Sequence, residues 1–219
     1  MKRNTVIKII VAVVALAVLG VLFIRSVQDA RSTPYTVERG HLRNWTLAFE
    51  PQASATAPAL VLRPPVELVS NVFRQLFSRA MESLNMPTAP AMPLVLQGEY
   101  DLALASRFTP DALTAFARES GLESAAFEPR CLAYRRHSEP RATRQLYYLL
   151  FESREFASFR ERLAAGSPPG GGAGTFDLEA LSPVLIVAAS DAAFHRWLPI
   201  RADSNTECVA PIETGSAPQ

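Results

Sequence analysis

The amino-terminal 25 residues constrain this chain more than any other part of it. Residues 9–24 form an uninterrupted apolar run, with Lys2, Arg3 and Lys8 before it and Arg25 directly after it. As a helix this run is about 24 Å long, which is short for the ~30 Å apolar core of a bilayer but sufficient when Lys8 reaches the headgroups. Because the positive charge lies mainly before the run, the sequence predicts a transmembrane signal anchor with its amino terminus in the cytoplasm.

A cleaved signal peptide is the alternative interpretation of the same segment. Signal peptides have apolar regions of about 7–15 residues, followed by small residues at the cleavage site. Here the chain leaves the apolar run through Arg25, and the first small-residue pattern, at residues 30–32, lies well beyond it. We therefore predict an uncleaved single-pass anchor in the inner membrane, with the rest of the chain in the periplasm.

The charge of the remaining chain excludes several functions. The chain has 22 basic and 21 acidic residues, and the four cations around the apolar run leave the rest slightly acidic. This balance gives no reason to expect nucleic acid as a partner. Lys2 and Lys8 are the only lysines, so the outer domain has no Schiff-base lysine, lysine general base or P-loop lysine. Together with the 17 prolines, this preference for Arg is typical of a bacterium with GC-rich coding.

Two cysteines, Cys131 and Cys208, follow the anchor. An even number of cysteines in an oxidising compartment predicts one disulfide bond. Two unpaired, buried thiols are the alternative. A catalytic Cys–His pair has no support in the local sequence.

Composition divides the chain into four segments. Residues 1–25 are the cytoplasmic tip and the anchor, and residues 26–58 are predicted as a stalk and linker with short strands. Residues 59–203 are predicted as an extracytoplasmic α+β domain with a flexible Gly/Pro loop at 166–174. Residues 204–219 are predicted as a tail that carries the second cysteine.

A long amphipathic helix is the clearest element outside the anchor. Residues 64 and 65, both Pro, predict its start, and residues 85–87 predict its end. Between them, apolar residues recur every three or four positions along one face. These are Val69, Val72, Phe73, Leu76, Phe77, Ala80, Met81 and Leu84. We interpret the helix as packing on the domain's own sheet, and a docking helix for a partner subunit is the alternative.

The elements after this helix follow a regular order. Apolar and alternating patterns predict strands at residues 94–104, 127–136, 145–151 and 184–189. Helices are predicted after Thr109 and after Ser153, because Thr and Ser are favoured at the N-cap position of a helix. The resulting order β-α-β-β-α-β suggests a ferredoxin-like fold, with an antiparallel or mixed sheet and helices on one face. An extra strand and the amphipathic helix precede it.

Arginine side chains cluster around the predicted turn between the second and third of these strands. They are Arg135, Arg136, Arg141 and Arg144. Because guanidinium forks bind carboxylates and phosphates well, these residues are the candidate contacts for an anionic group or a partner. A solvated hairpin tip, partly neutralised by nearby acids, is the alternative.

A metal site has only weak support. Asp191 and His195 are four residues apart on a predicted short helix, so both could reach one ion, with Asp203, Glu207 or Cys208 as a third ligand. Such isolated pairs are common by chance, and a surface histidine is the expected interpretation. No P-loop or nucleophile elbow is present, so we identify no catalytic residue and predict no cofactor.

These features predict a bacterial single-pass envelope protein whose periplasmic domain is a non-enzymatic interaction or assembly module. Its expected partners are the inner membrane, through residues 9–24, and an envelope protein. The alternative is a periplasmic enzyme or small-molecule sensor with a site between sheet and loops. That alternative requires a pocket with convergent polar groups.

Overall fold

The chain divides into two compact units, Met1–Thr33 and Pro34–Gln219. The computed structural model describes Leu16 and residues 18–20, 33–80, 82–139, 142–165 and 176–215. In the first unit, the four described residues before Thr33 are helical, and their leucine and valine side chains are exposed. No helix within the described residues is long and apolar enough to cross a membrane. Most of the predicted anchor and all of the loop 166–174 lie outside the described residues.

The second unit is a mixed α+β domain, as the sequence predicts. Its described strands are β1 (Tyr35–Glu38), β2 (Thr46–Phe49), β3 (Pro58–Arg63), β4 (Met92–Leu96), β5 (Glu128–Glu139), β6 (Ala142–Glu152), β7 (Val184–Ala189) and β8 (Cys208–Gly215). Its longer helices are α1 (Val66–Ala80), α2 (Pro110–Glu119) and α3 (Arg154–Ala165). The core is one apolar cluster to which both sheets and all three helices contribute.

The strands form two sheets. The larger has the order β1-β8-β5-β6-β7, and the smaller has the order β2-β3-β4. The larger sheet is mixed, because β1 pairs with β8 in parallel whereas the pairs β8–β5, β5–β6 and β6–β7 are antiparallel. β6 is interior and β5 and β6 form the longest hairpin, which agrees with the apolar sequence on both faces of β6.

The ferredoxin-like strand order is not confirmed. In that order the strand at 94 and the strand at 184 would be neighbours in one sheet with the central hairpin. Instead β4 pairs with β3 in the smaller sheet, and β7 pairs with β6 in the larger one. The extended segment before α1 supplies β2 and β3, and this is why β4 finds its partner outside the larger sheet.

The strand predicted over residues 94–104 is shorter than expected. It ends at Leu96, after which the chain forms two helical turns, Gln97–Glu99 and Tyr100–Leu104. The backbone N–H of Leu96 donates to Glu99 Oε2 at 2.8 Å. Gln97 Nε2 donates to Asp101 Oδ1, also at 2.8 Å, across one helical turn. These local bonds favour a helix over the alternating apolar pattern that predicts a strand.

The domain begins earlier than the sequence indicates. Residues 34–58, predicted as stalk and linker, contain β1 and β2, which pair with β8 and β3. The side chains of Tyr35 and Trp45 are buried, and the Trp45 ring stacks on Phe127 with 4.7 Å between centroids. These aromatic contacts complete the core, so the boundary lies at Pro34 instead of residue 59.

The segment after residue 204 is also part of the sheet. Predicted as a tail, it forms β8, which lies between β1 and β5. Cys208 at the start of β8 is bonded to Cys131 of β5, with 5.7 Å between their Cα atoms. The predicted disulfide is therefore at bonding distance, and it joins two neighbouring strands of one sheet.

Three helix starts follow the rules that predicted them. α1 begins after the two prolines and buries Leu68, Val69, Val72 and Leu76 against the domain. In α2, Thr109 Oγ1 accepts the Ala112 N–H at 3.2 Å. In α3, Ser153 Oγ accepts the Phe156 N–H at 3.2 Å. Each cap satisfies a backbone donor that the helix itself leaves unpaired.

A buried ion pair fixes α3 to the smaller sheet. Arg160 is only 2% exposed, and its Nη2 lies 2.7 Å from Glu99 Oε1. The same guanidinium donates to the carbonyl oxygens of Leu94, Asp177 and Leu178. The buried charge is thus paired and hydrogen-bonded on several sides, which is what burial of a guanidinium requires.

Candidate functional site

The β5–β6 hairpin brings the predicted arginines to one end of the larger sheet. In its register Arg135 pairs with Leu146, and His137 pairs with Arg144. Directly paired residues of antiparallel strands lie on the same face, so Arg135, His137 and Arg144 share a face of the hairpin. The side chain of Arg141, the fourth predicted residue, lies outside the described residues.

A cleft of about 290 Å³ lies between this end of the hairpin and the helical turn Phe194–Trp197. We call it the arginine cleft. It is lined by Arg135, Arg136, His137, Arg144, Arg196 and Trp197. Three of the four arginines predicted from the sequence therefore meet in one place, together with a fourth arginine and a tryptophan that were not predicted.

Arg135 is held in place by a network that the sequence does not reveal. Its Nε donates to Glu207 Oε1 at 2.6 Å, and its Nη2 donates to Glu207 Oε2 at 3.1 Å. Tyr148 donates its hydroxyl proton to Glu207 Oε2 at 2.5 Å, and the Arg201 carbonyl accepts a further bond from Arg135. This two-point ion pair fixes the guanidinium of Arg135 at the wall of the cleft.

The network shifts the pKa values of its members. Burial alone would raise the pKa of Glu207, but hydrogen bonds from Arg135, Tyr148 and the Asp203 N–H outweigh it and lower that pKa. Burial and the bond to the Glu207 carboxylate raise the pKa of the Tyr148 hydroxyl far above its usual value. Burial lowers the pKa of Arg135, and the contacts with Glu207 more than offset this, so the group stays charged.

A second carboxylate lies beside Arg144. Asp191 Oδ2 is 3.9 Å from Arg144 Nε, which is an ion-pair distance but too long for a hydrogen bond. Asp191 Oδ1 accepts the Ala193 N–H at 2.9 Å. Oδ2 is buried and accepts no hydrogen bond from the described residues.

The arginine cleft carries an excess of positive charge. Among the described residues, its four guanidinium groups face two carboxylates, those of Glu207 and Asp191. Arg136 and Arg196 are exposed and form no ion pair or side-chain hydrogen bond with any described residue. Trp197 adds a buried Nε1–H without a hydrogen-bond partner in the described part of the chain. Among the described residues, the cleft therefore has two guanidinium groups without a counter-charge.

The weak metal candidate does not gain from the structure. The helical turn covers only Phe194–Trp197, so Asp191 lies outside it and the helical spacing assumed for Asp191 and His195 is wrong. Instead, one carboxylate oxygen of Asp191 accepts a backbone N–H in a local turn, and His195 is exposed. Glu207, a possible third ligand, is bound to Arg135. Across the described residues, no three His, Cys, Asp or Glu side chains gather in a metal-binding arrangement.

A second cavity, of about 820 Å³, lies between the turn Arg39–Leu42 and the start of β5. Arg39, Arg43, Glu123, Glu128 and Phe127 are among the residues that line it. Glu123 forms hydrogen bonds there that hold neighbouring elements together.

The carboxylate of Glu123 connects β2 to the end of α2. Glu123 Oε1 accepts the Leu47 N–H at 3.1 Å, and Oε2 accepts from Arg118 Nε at 3.0 Å. The bond from Leu47, with the smaller contribution of Arg118, lowers the pKa of Glu123. This carboxyl is therefore ionised and engaged, and it is a poor general acid or base at neutral pH.

Arg196, Trp197 and Tyr148 are the site residues that sequence reasoning missed, and Glu207 was considered only as a third metal ligand and not as the partner of Arg135. Arg196 and Trp197 are adjacent in sequence, and an adjacent Arg-Trp pair is a weak signal for a binding surface. Glu207 and Tyr148 carry no such signal, because only the register of β5, β6 and β8 brings them to Arg135.

Comparison of the chain with protein-family models, curated proteins and solved structures finds no match. The functional conclusion therefore rests on the sequence and on the geometry of the arginine cleft.

Proposed function

We propose that this is a bacterial single-pass envelope protein of the inner membrane whose periplasmic domain is a non-enzymatic interaction or assembly module. The apolar run at residues 9–24, with its preceding cations, supports the membrane tether. The disulfide pair Cys131–Cys208 supports an oxidising compartment.

The arginine cleft is the observation that carries the proposal. It combines the guanidinium groups of Arg136 and Arg196, which pair with no described acid, with an aromatic side chain, and Arg and Trp are enriched in protein–protein contacts. Such a surface binds a partner by charge and shape without chemistry on a substrate.

Site-specific cross-linking in native membranes tests the interaction module. A photo-reactive amino acid replaces Thr143 beside the cleft in the full-length protein, and the same residue replaces Ser158 on the exposed side of α3 as the control. Cross-links to one envelope protein from position 143 alone are the expected result. The same set of products from both positions, or none from either, would contradict the proposal.

Topology is tested separately. Alkaline phosphatase fused after residue 219 is active only in the periplasm, whereas green fluorescent protein exported by the general secretory route does not fluoresce there. We expect phosphatase activity, no fluorescence, and retention in the membrane after alkaline carbonate. Release by carbonate would indicate that the segment is cleaved and that the tether is absent.

The alternative function, a periplasmic enzyme or small-molecule sensor, is favoured by the cavity of about 820 Å³. Its volume lies within the range of small-ligand sites. Native mass spectrometry of the purified protein tests it, since a tightly held small molecule adds a defined mass. Replacement of Arg43 by Glu, which reverses a charge in the cavity wall, should then abolish that added mass.

A further inference from the structure

We propose that the arginine cleft binds the carboxylate side chains of an acidic segment of the partner protein, a proposal that rests on the proposed function.

The size of the cleft favours side chains over a whole small molecule. Its volume of about 290 Å³ is at the lower limit of pockets that enclose small ligands. A cleft of this size accommodates one or two carboxylate side chains that a partner segment projects into it.

The wall of the cleft already shows how a carboxylate is bound. Glu207 meets Arg135 through two hydrogen bonds, and Asp191 lies at ion-pair distance from Arg144. Arg136 and Arg196 have the same chemistry and no such acid among the described residues. A carboxylate from outside would therefore extend a pattern that the protein builds from its own residues.

Trp197 makes occupancy of the cleft measurable. The chain has two tryptophans, and Trp45 is only 3% exposed. A neutral quencher such as acrylamide therefore reaches mainly Trp197 at the cleft. A peptide bound there shields this indole, so quenching falls as the cleft fills.

The experiment titrates full-length protein in neutral detergent with hexaglutamate at low salt, with hexaglutamine as the uncharged control. Inorganic phosphate and vesicles that contain anionic phospholipid are tested in parallel. The double variant Arg136→Gln/Arg196→Gln removes the two cations without leaving a described acid unpaired. The matched control Arg74→Gln/Arg154→Gln removes two exposed arginines from the surfaces of α1 and α3.

We expect hexaglutamate, and not hexaglutamine, to protect Trp197 from acrylamide. The cleft variant should bind hexaglutamate at least about tenfold more weakly, because it loses charge-assisted hydrogen bonds. The control variant should differ by less than about twofold, since its arginines lie elsewhere. Protection by phosphate or by anionic vesicles alone would overturn the proposal, as would unchanged affinity in the cleft variant.

Failure of this inference and failure of the proposed function give different results. A specific cross-linked partner without hexaglutamate binding keeps the interaction module and overturns the acidic ligand. Hexaglutamate binding without any cross-linked partner keeps the ligand class and contradicts the assembly role.

Discussion

Two arginine–glutamate ion pairs in this domain differ in burial, and therefore in how much stability is lost when one partner is removed. The side chains of Arg160 and Glu99 are 2% and 10% exposed, whereas those of Arg135 and Glu207 are 27% and 17% exposed. A charge that loses its partner in a nearly dry site cannot recover hydration, whereas a partly exposed one recovers some of it. The first pair is therefore a structural requirement, and the second is a support for a surface site.

Substitution Arg160→Met should destabilise the domain by about 3–5 kcal/mol, because Glu99 then remains buried without its counter-charge. The double variant Arg160→Met/Glu99→Gln should recover part of this loss, since the buried charge is gone. Urea unfolding of both variants measures the free energies, with Arg154→Met as an exposed control. Equal stability of the single and double variants would contradict the prediction.

The Glu207 carboxylate should make the free energy of unfolding depend on pH in the acidic range. Its pKa in the folded domain is lowered, so its stabilising contribution is complete above the unfolded value of about 4.3 and is lost as pH falls through the folded pKa. Unfolding free energy of the wild type should therefore decline more steeply with acidification below pH ~4.3 than that of Glu207→Gln. Parallel curves for the two proteins over this range would refute it.

At the residue scale, the sequence showed where cations gather but not what holds them. Arg135, Arg136 and Arg144 are close in sequence, so a clustering argument finds them. Glu207 reaches Arg135 only through pairing of β5 with β8, and Trp197 arrives on a separate turn. Contacts between distant segments have no local signature, and this limits prediction of the site more than the chemistry does.

At the scale of elements, a disulfide bond joins β5 and β8 next to the arginine cleft. Cys208 begins β8, directly after Glu207, and its disulfide partner Cys131 lies on β5. The bond therefore fixes the strand from which the carboxylate reaches Arg135. Loss of the bond should loosen both the sheet and the wall of the arginine cleft.

Substitution of both cysteines by serine should lower the unfolding free energy by about 2–5 kcal/mol, given the long loop that the bond closes. It should also weaken hexaglutamate binding by the folded protein, because Glu207 no longer fixes Arg135 as firmly. Chemical denaturation and the Trp197 quenching titration measure the two effects. Wild-type protein treated with dithiothreitol serves as the matched comparison and should reproduce both changes.

Helix starts were easier to predict than the end of β4. Thr109 and Ser153 each satisfy a backbone donor three residues ahead, so a few residues of local sequence suffice to predict the helix start. The residues after Leu96 alternate like a strand, yet the bond between Gln97 and Asp101 closes a helical turn. Side-chain pairs four residues apart were the signal that the alternating apolar pattern concealed.

At the scale of the whole molecule, the domain depends on segments from both ends of its sequence. Prediction found the α+β class because periodic patterns reveal elements. It missed the two-sheet arrangement and the boundary at Pro34, because β1 and β2 are only four residues long and become recognisable as core through their distant partners. Short strands carry too few side chains for a periodic signal.

A truncation series tests that boundary. A protein of residues 34–219 should unfold cooperatively, whereas one of residues 59–219 should not, since it loses β1, β2 and the buried Tyr35, Val37 and Trp45. Circular dichroism during urea titration measures cooperativity, and amide NMR dispersion confirms tertiary packing. A cooperative transition in the shorter protein would place these strands outside the core.

The position of β8 between β1 and β5 also sets the order of events during synthesis. A polypeptide emerges from a ribosome or a translocation channel with β1 before β8. Tyr35 therefore cannot pair with Ile212, its register neighbour, until β8 has emerged. Until the last described strand emerges, β1 and the edge of β5 expose unsatisfied amides, which attract aggregation partners. Closure of the larger sheet therefore has to follow emergence of β8, and a nascent chain stalled before residue 208 holds an open edge that a chaperone has to shield.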